Sequence, residues 1–208
     1  TNASTVSFTV TFDEAVTSVD ATDFDLVTFG VSSAGITNVT GLGTTWTVTV
    51  NTGTGDGSIR LDLVNDGSIV DVSNNPLAGG DFAGDEYVID KTAPTVVVSQ
   101  ASGQADPTTT QPILFTVVFS ERVIGFGGMN LTLSGTAGLG SVMINTNNPS
   151  ADGRTFDVEI SNITSDGTIT VSVAAGEVAD EAGNLNAGDV STDATVRYDA
   201  NAPQVNNI

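Results

Sequence analysis

The residues equipped for chemistry in this chain are almost all acids. Its 208 residues hold 25 Asp and Glu against 5 Lys and Arg, with no His and no Cys, for a formal charge of −20. Thiolate nucleophiles, disulfides and zinc–sulfur centres are thereby excluded, as are the Ser-His-Asp triad and imidazole-bound transition metals. Five scattered cations build no phosphate-binding stripe, so nucleic acid is a poor partner. Oxygen chemistry remains: carboxylates, amides and hydroxyls, and the hard cations they hold.

Eight oxygen-bearing side chains stand out because they recur in pairs. Glu14 and Glu121 each lie two residues before a Val, and Asp71 and Asn75 share the spacing D-x-x-x-N with Asp180 and Asn184. Asp90 and Asp199 each stand three residues ahead of an Ala-Pro pair. Carboxylates gathered at ~5 Å repel by roughly 3 kcal/mol per pair at an effective dielectric of ~20. A divalent cation reverses that sign, and Ca2+ accepts about six to eight oxygens in tolerant geometry. Asp90, Glu121, Asp180 and Asn184 are therefore candidate Ca2+ ligands. Glu14, Asp71 and Asn75 form the equivalent set, completed by the counterpart of Asp199 in a preceding repeat or subunit. The competing reading makes the Asp and Asn residues turn formers that close Asx-turns.

The segments that must position these groups alternate apolar and polar residues. Val6, Phe8, Val10 and Phe12 share one parity, as do Trp46, Val48 and Val50, and Ile59, Leu61 and Leu63. Ile113 to Phe119, Phe156 to Ile160 and Ile169 to Val173 repeat the pattern. Period two with β-branched enrichment predicts strands with one buried face, and no window carries a helical stripe. Trp46 alternates with Val48 and Val50, which places it in a core rather than on a sugar-binding surface. Gly53, Gly55 and Gly57 join two strands and open no helix, so they form a hairpin rather than a phosphate loop. Gly79–Glu86 reads as part of a long connection. No apolar run approaches the ~20 residues of a membrane helix.

A tandem repeat organises the strands. Phe8-Thr9-Val10-Thr11-Phe12 matches Phe115-Thr116-Val117-Val118-Phe119 at an offset of 107, and Asp56-Gly57-Ser58-Ile59 matches Asp166-Gly167-Thr168-Ile169 at 110. Asp71/Asn75 and Asp180/Asn184 match at 109, as do Asp90-x-x-Ala-Pro and Asp199-x-x-Ala-Pro. Offsets drifting around a constant mark tandem domains with loop insertions. The expected layout is residues 1–91 as a first β-sandwich, 92–200 as a second, and 201–208 as the first strand of a next module. The second copy reads as seven strands near 94–100, 111–120, 129–134, 139–146, 153–160, 166–173 and 193–199. The first copy has six, near 4–12, 23–29, 35–40, 44–51, 57–64 and 85–90, and lacks the counterpart of 94–100.

The Phe-Thr-Val-x-Phe strand with its following Glu and Val, the Trp-Thr-Val-Thr-Val strand, the D-x-x-x-N loop and the Ile-Asp-x-x-Ala-Pro linker together resemble bacterial Ig-like domains. Such domains recur in tandem in large surface adhesins, biofilm-associated proteins and cell-surface fibres. The resemblance covers nearly the whole chain and implies an all-β tandem of immunoglobulin-like antiparallel sandwiches, rigidified by Ca2+ into an extracellular rod. One departure is the first D-x-x-x-N loop, where Asn74 replaces the Gly183 of the second.

The expectation is a structural, non-enzymatic protein of the bacterial exterior that stacks head-to-tail with copies of itself or with flanking Ig-like repeats. Two arrangements stay open: donation of 201–208 into the first domain of the next subunit, or an array cut at a repeat boundary. The alternative function is a ligand-binding adhesin module for glycan or protein, which would need exposed aromatic or polar loop clusters. A carboxylate glycosidase would need two acids across an open cleft, whereas here the acids fall at a crowded junction.

Overall fold

The computed structural model describes residues 1–139, 143–147 and 151–207. Parts of the strand expected at 139–146 and of the segment 201–208 lie outside the described residues. Among the described residues the fold is all-β, every pairing between the named strands is antiparallel, and no sheet closes into a barrel. The chain divides into two compact units, Thr1–Thr92 and Ala93–Ile208.

In the first unit the strands are β1 (Thr5–Thr17), β2 (Phe24–Phe29), β3 (Gly35–Asn51), β4 (Gly57–Leu63), β5 (Val70–Asp71) and β6 (Phe82–Ile89). One sheet has the order β3-β1-β5 and the other β2-β4-β6. The long run β3 folds back about Gly43 (φ +66°), so that the Thr37 hydroxyl donates to the Thr49 carbonyl at 3.0 Å. Residues of one parity fill the space between the sheets: Val6, Phe8 and Phe12 from β1, Val48 and Val50 from β3, Ile59 and Leu61 from β4. Trp46 packs against this cluster from the position opposite Val10, as its alternation predicts.

β6 starts earlier than the sequence pattern indicates. Phe82 to Gly84, ahead of the strand expected at 85–90, already belong to β6, with Phe82 opposite Leu63 and Ala83 opposite Asp62. A bulge between Arg60 and Asp62 permits this. Gly84 sits there because a Cβ would fall on the Leu61 carbonyl oxygen. The bulge breaks the alternation, and Phe82 ends up 69% exposed.

The second unit carries β7 (Val96–Gln100), β8 (Ile113–Phe119), β9 (Val123–Ile124), β10 (Leu131–Gly135), β11 (Met143–Asn147), β12 (Thr155–Ser161), β13 (Gly167–Val173), β14 (Ala179–Asp180) and β15 (Thr195–Tyr198). Its larger sheet runs β11-β12-β8-β7 and faces β10-β13-β15, while β9 and β14 form a two-stranded clip. Ile113, Phe115, Val117 and Phe119 are wholly buried among Val158, Ile160, Ile169 and Val171. Each such side chain contributes about 1.5–3 kcal/mol relative to exposure. Residues 201–207 form no strand and are exposed.

Candidate metal centre

The β9–β14 clip brings the second unit's acids together. Asp180 pairs with Val123 and Ala179 with Ile124, and the clip is held to the core by Val123 and Val178. Glu121 lies on the short corner between β8 and β9. That corner is fixed by Ser120 N–H donating to the Thr95 carbonyl at 3.0 Å and Val123 N–H donating to the Gly153 carbonyl at 2.9 Å. Carboxylate oxygens of Glu121 and Asp180 thereby come within 4.8 Å of each other.

Asp180 is only 3% exposed, and its loop wraps around it. Its Oδ1 accepts the backbone N–H groups of Gly183 (2.7 Å) and Asn184 (2.9 Å), and its Oδ2 accepts the Asn184 side-chain amide at 2.9 Å. Burial pushes this carboxyl upward. Hydrogen bonds from the Asn184 amide and from the backbone of Asn184, Gly183 and Ala182 outweigh burial and hold it below the usual carboxylate range. Asn184 thus orients the carboxylate. The charge stays on Asp180 in a site where water is scarce.

The first unit repeats the loop without the burial. Asp71 pairs with Val16, accepts the N–H groups of Ser73 (2.7 Å) and Asn75 (2.8 Å), and takes the Asn75 side-chain amide at 2.8 Å. The Asn75 side chain, then the Asn75 and Ser73 backbone, lower its pKa. Asn74 adopts φ +63° where Gly183 has +97°, so the departure in sequence leaves the left-handed turn in place. Glu14 is exposed within β1. Among the described residues, Glu14 and Asp71 join no group of three acids with oxygens within 4.8 Å.

The two linker acids are placed by turns of their own. In the first unit, Asp90 N–H donates to the Thr1 carbonyl at 3.1 Å and Asp90 Oδ1 accepts the Thr92 N–H at 3.1 Å. Asp199, in the second, pairs with Arg197 at 3.2 Å on the surface, and its N–H donates to the Thr108 carbonyl at 2.9 Å.

Three residues that support these segments escape sequence reasoning. Asp56 accepts the Lys91 N–H at 2.5 Å and the Thr92 hydroxyl. Its repeat partner Asp166 accepts the Ala200 N–H at 2.8 Å and the Asn201 amide at 2.7 Å. Each therefore fixes the residues that follow its unit's last strand, a role to which the recurrence of Asp-Gly-x-Ile could have pointed. Asn186 is 2% exposed and makes four hydrogen bonds, accepting from Glu177 and Val178 N–H and donating to the Ala174 and Ala187 carbonyls at 2.7–3.0 Å. It braces the connection that carries Asp180. Leu77 stands at its position in the first copy, so the repeat carried no signal for it.

Two carboxyl groups at this separation, in a chain with no His or Cys, suit a hard cation. Asp180 Oδ2, which accepts the Asn184 side-chain amide, retains lone-pair capacity for such a cation. No known protein-family model and no curated protein matches the chain.

Proposed function

We propose that the chain is a structural extracellular element: two Ig-like modules of the kind found in bacterial surface adhesins and biofilm fibres, stacked end to end and stiffened by Ca2+. The observation that carries this reading is the approach of the Glu121 and Asp180 carboxylates to within 4.8 Å at the end of the second unit where β8 turns into β9. Asp90 is the ligand proposed from the first module. Thr95, five positions further along the chain, is bonded to Ser120 beside Glu121. An extended chain of that length reaches at most about 18 Å. In this reading Asp180 and Glu121 hold the cation, Asn184 keeps Asp180 oriented, and Asp56 fixes Lys91 and Thr92, the residues that follow Asp90. The cation supplies charge neutralisation and a cross-link between modules, not catalysis. Glu14, Asp71 and Asn75 would serve the same end of the first module, with the counterpart of Asp199 from a neighbouring copy or repeat.

Thermal unfolding with calcium chloride and with excess chelator tests the reading. Ca2+ at about 100 times its dissociation constant adds about 2.7 kcal/mol, and the E121Q and D180N variants lose that gain. Identical melting in calcium and chelator would overturn it.

A further inference from the structure

The first unit has an open strand edge over a partly uncovered core. β1 is paired along Thr5–Thr11 by β3, and its other edge meets β5 only at Val16 and Thr17. In the second unit the matching edge of β8 is covered by β7, with Val96 opposite Phe119, Val98 opposite Val117 and Gln100 opposite Phe115. The consequence is visible in the core. Phe115 and Phe119 are 0% exposed, whereas their repeat partners Phe8 and Phe12 are 8% and 9% exposed. Val10 is half-buried where Val117 is sealed. A groove of about 960 Å³ runs along this edge, lined by Phe8, Phe12, Leu61, Leu77, Phe82 and Tyr87 among others. An unpaired strand edge beside exposed apolar surface is a template for β-strand addition.

We propose that this groove takes the segment 201–207 of a second copy of the chain, with residues 205–207 added to β1 as an antiparallel strand and Val205 opposite Phe12. Two features select this occupant. By the repeat, Ala202-Pro203-Gln204-Val205 corresponds to Ala93-Pro94-Thr95-Val96, and Val96 is the residue that seals Phe119. The groove wall also carries Asp81, Asp85 and Glu86, and in a chain of charge −20 the stretch 200–208 bears no charged side chain. An acid-rimmed groove admits an uncharged strand without repulsion. In the second unit these residues form no strand, and Val205 is 80% exposed. The proposal names the partner of the end-to-end stacking above but uses none of its metal ligands.

Cysteine cross-linking reads the register directly, because the chain has no Cys of its own. Val97 pairs with Val118 in the second unit, so the added strand sets Asn206 opposite Thr11, both exposed. Opposed residues of an antiparallel pair have Cβ atoms about 4.5–5.5 Å apart, near the range a disulfide spans. T11C and N206C chains are mixed in chelator under mild oxidation. A disulfide-linked T11C–N206C pair is expected, and T28C, on the opposite sheet, should not link to N206C. V205D on the N206C chain should lower the yield about tenfold, the ratio that ~1.4 kcal/mol sets. Unchanged melting of T11C and N206C confirms that the fold is intact. Linking of T28C as readily as T11C, absence of the T11C product, or closure within one T11C/N206C double-variant chain would each overturn the proposal. Because the assay excludes Ca2+, its failure leaves the metal reading standing.

Discussion

Replacing Asp180 with Ala separates structural from ionic roles when measured in chelator. The substitution removes the side-chain acceptor of the Ala182, Gly183 and Asn184 N–H groups and of the Asn184 amide. A buried donor left unsatisfied costs about 1–3 kcal/mol. Gly183 is exposed and Asn184 half-buried, so water recovers part of that. The net loss expected is about 2–4 kcal/mol, a large share of the ~5–15 kcal/mol that stabilises a domain. For a unit of this size that lowers its melting temperature by about 8–16 °C. Urea unfolding of wild type, D180A and D71A, each in chelator, measures it. Asp71 accepts the Ser73 and Asn75 N–H groups and the Asn75 amide in a more open loop, so D71A should cost clearly less. A D180A loss within ~0.5 kcal/mol of zero, or equal losses at the two sites, would refute the argument that burial makes this loop rigid.

Acid should weaken both units in a defined window. Asp180 and Asp71 titrate below their ordinary value of 3.8 when folded, so their contribution is complete above that pH and disappears as pH falls through the lowered folded values. Stability followed from pH 6 to pH 2 should drop on the acid side, and D180N should show a shallower drop in the second unit below pH ~4. N186A removes four hydrogen bonds from a site 2% exposed and should destabilise the second unit by about 3 kcal/mol or more, read by urea unfolding. Gly57 and Gly167 hold φ of +156° and +152°, and a Cβ there would fall on the Phe29 carbonyl and on the Ala137 backbone. G57A and G167A should therefore each lower the melting temperature of their own unit alone, which calorimetry of the two transitions resolves.

How much of this was legible in the chain depended on whether a feature was periodic. The long strands were, because a two-residue alternation of Val, Ile and Phe over seven residues admits little else, and their registers carry the expected faces inward. The repeat pointed to Glu121 and Asp180 although 59 residues separate them in sequence. The β9–β14 clip that brings them together was not legible, since two-residue strands have no period. The start of β6 at Phe82–Gly84 was not legible, because a bulge reverses which side chains face in. Asn186 and Asp56 act through backbone groups of distant segments, and such bonds leave no spacing to read. In the D-x-x-x-N loops the Asp and Asn close an Asx-type turn, and in the second unit the Asp180 carboxylate so held lies within 4.8 Å of that of Glu121.

The central claim is that a divalent cation sits where Glu121 meets Asp180, and anomalous diffraction from crystals grown in calcium chloride tests it most directly. The account predicts a peak bonded to both carboxylates, with oxygen ligands at about 2.3–2.6 Å, that vanishes in D180N crystals. A water-strength peak with no anomalous signal, or the two carboxylates turned apart, would contradict it.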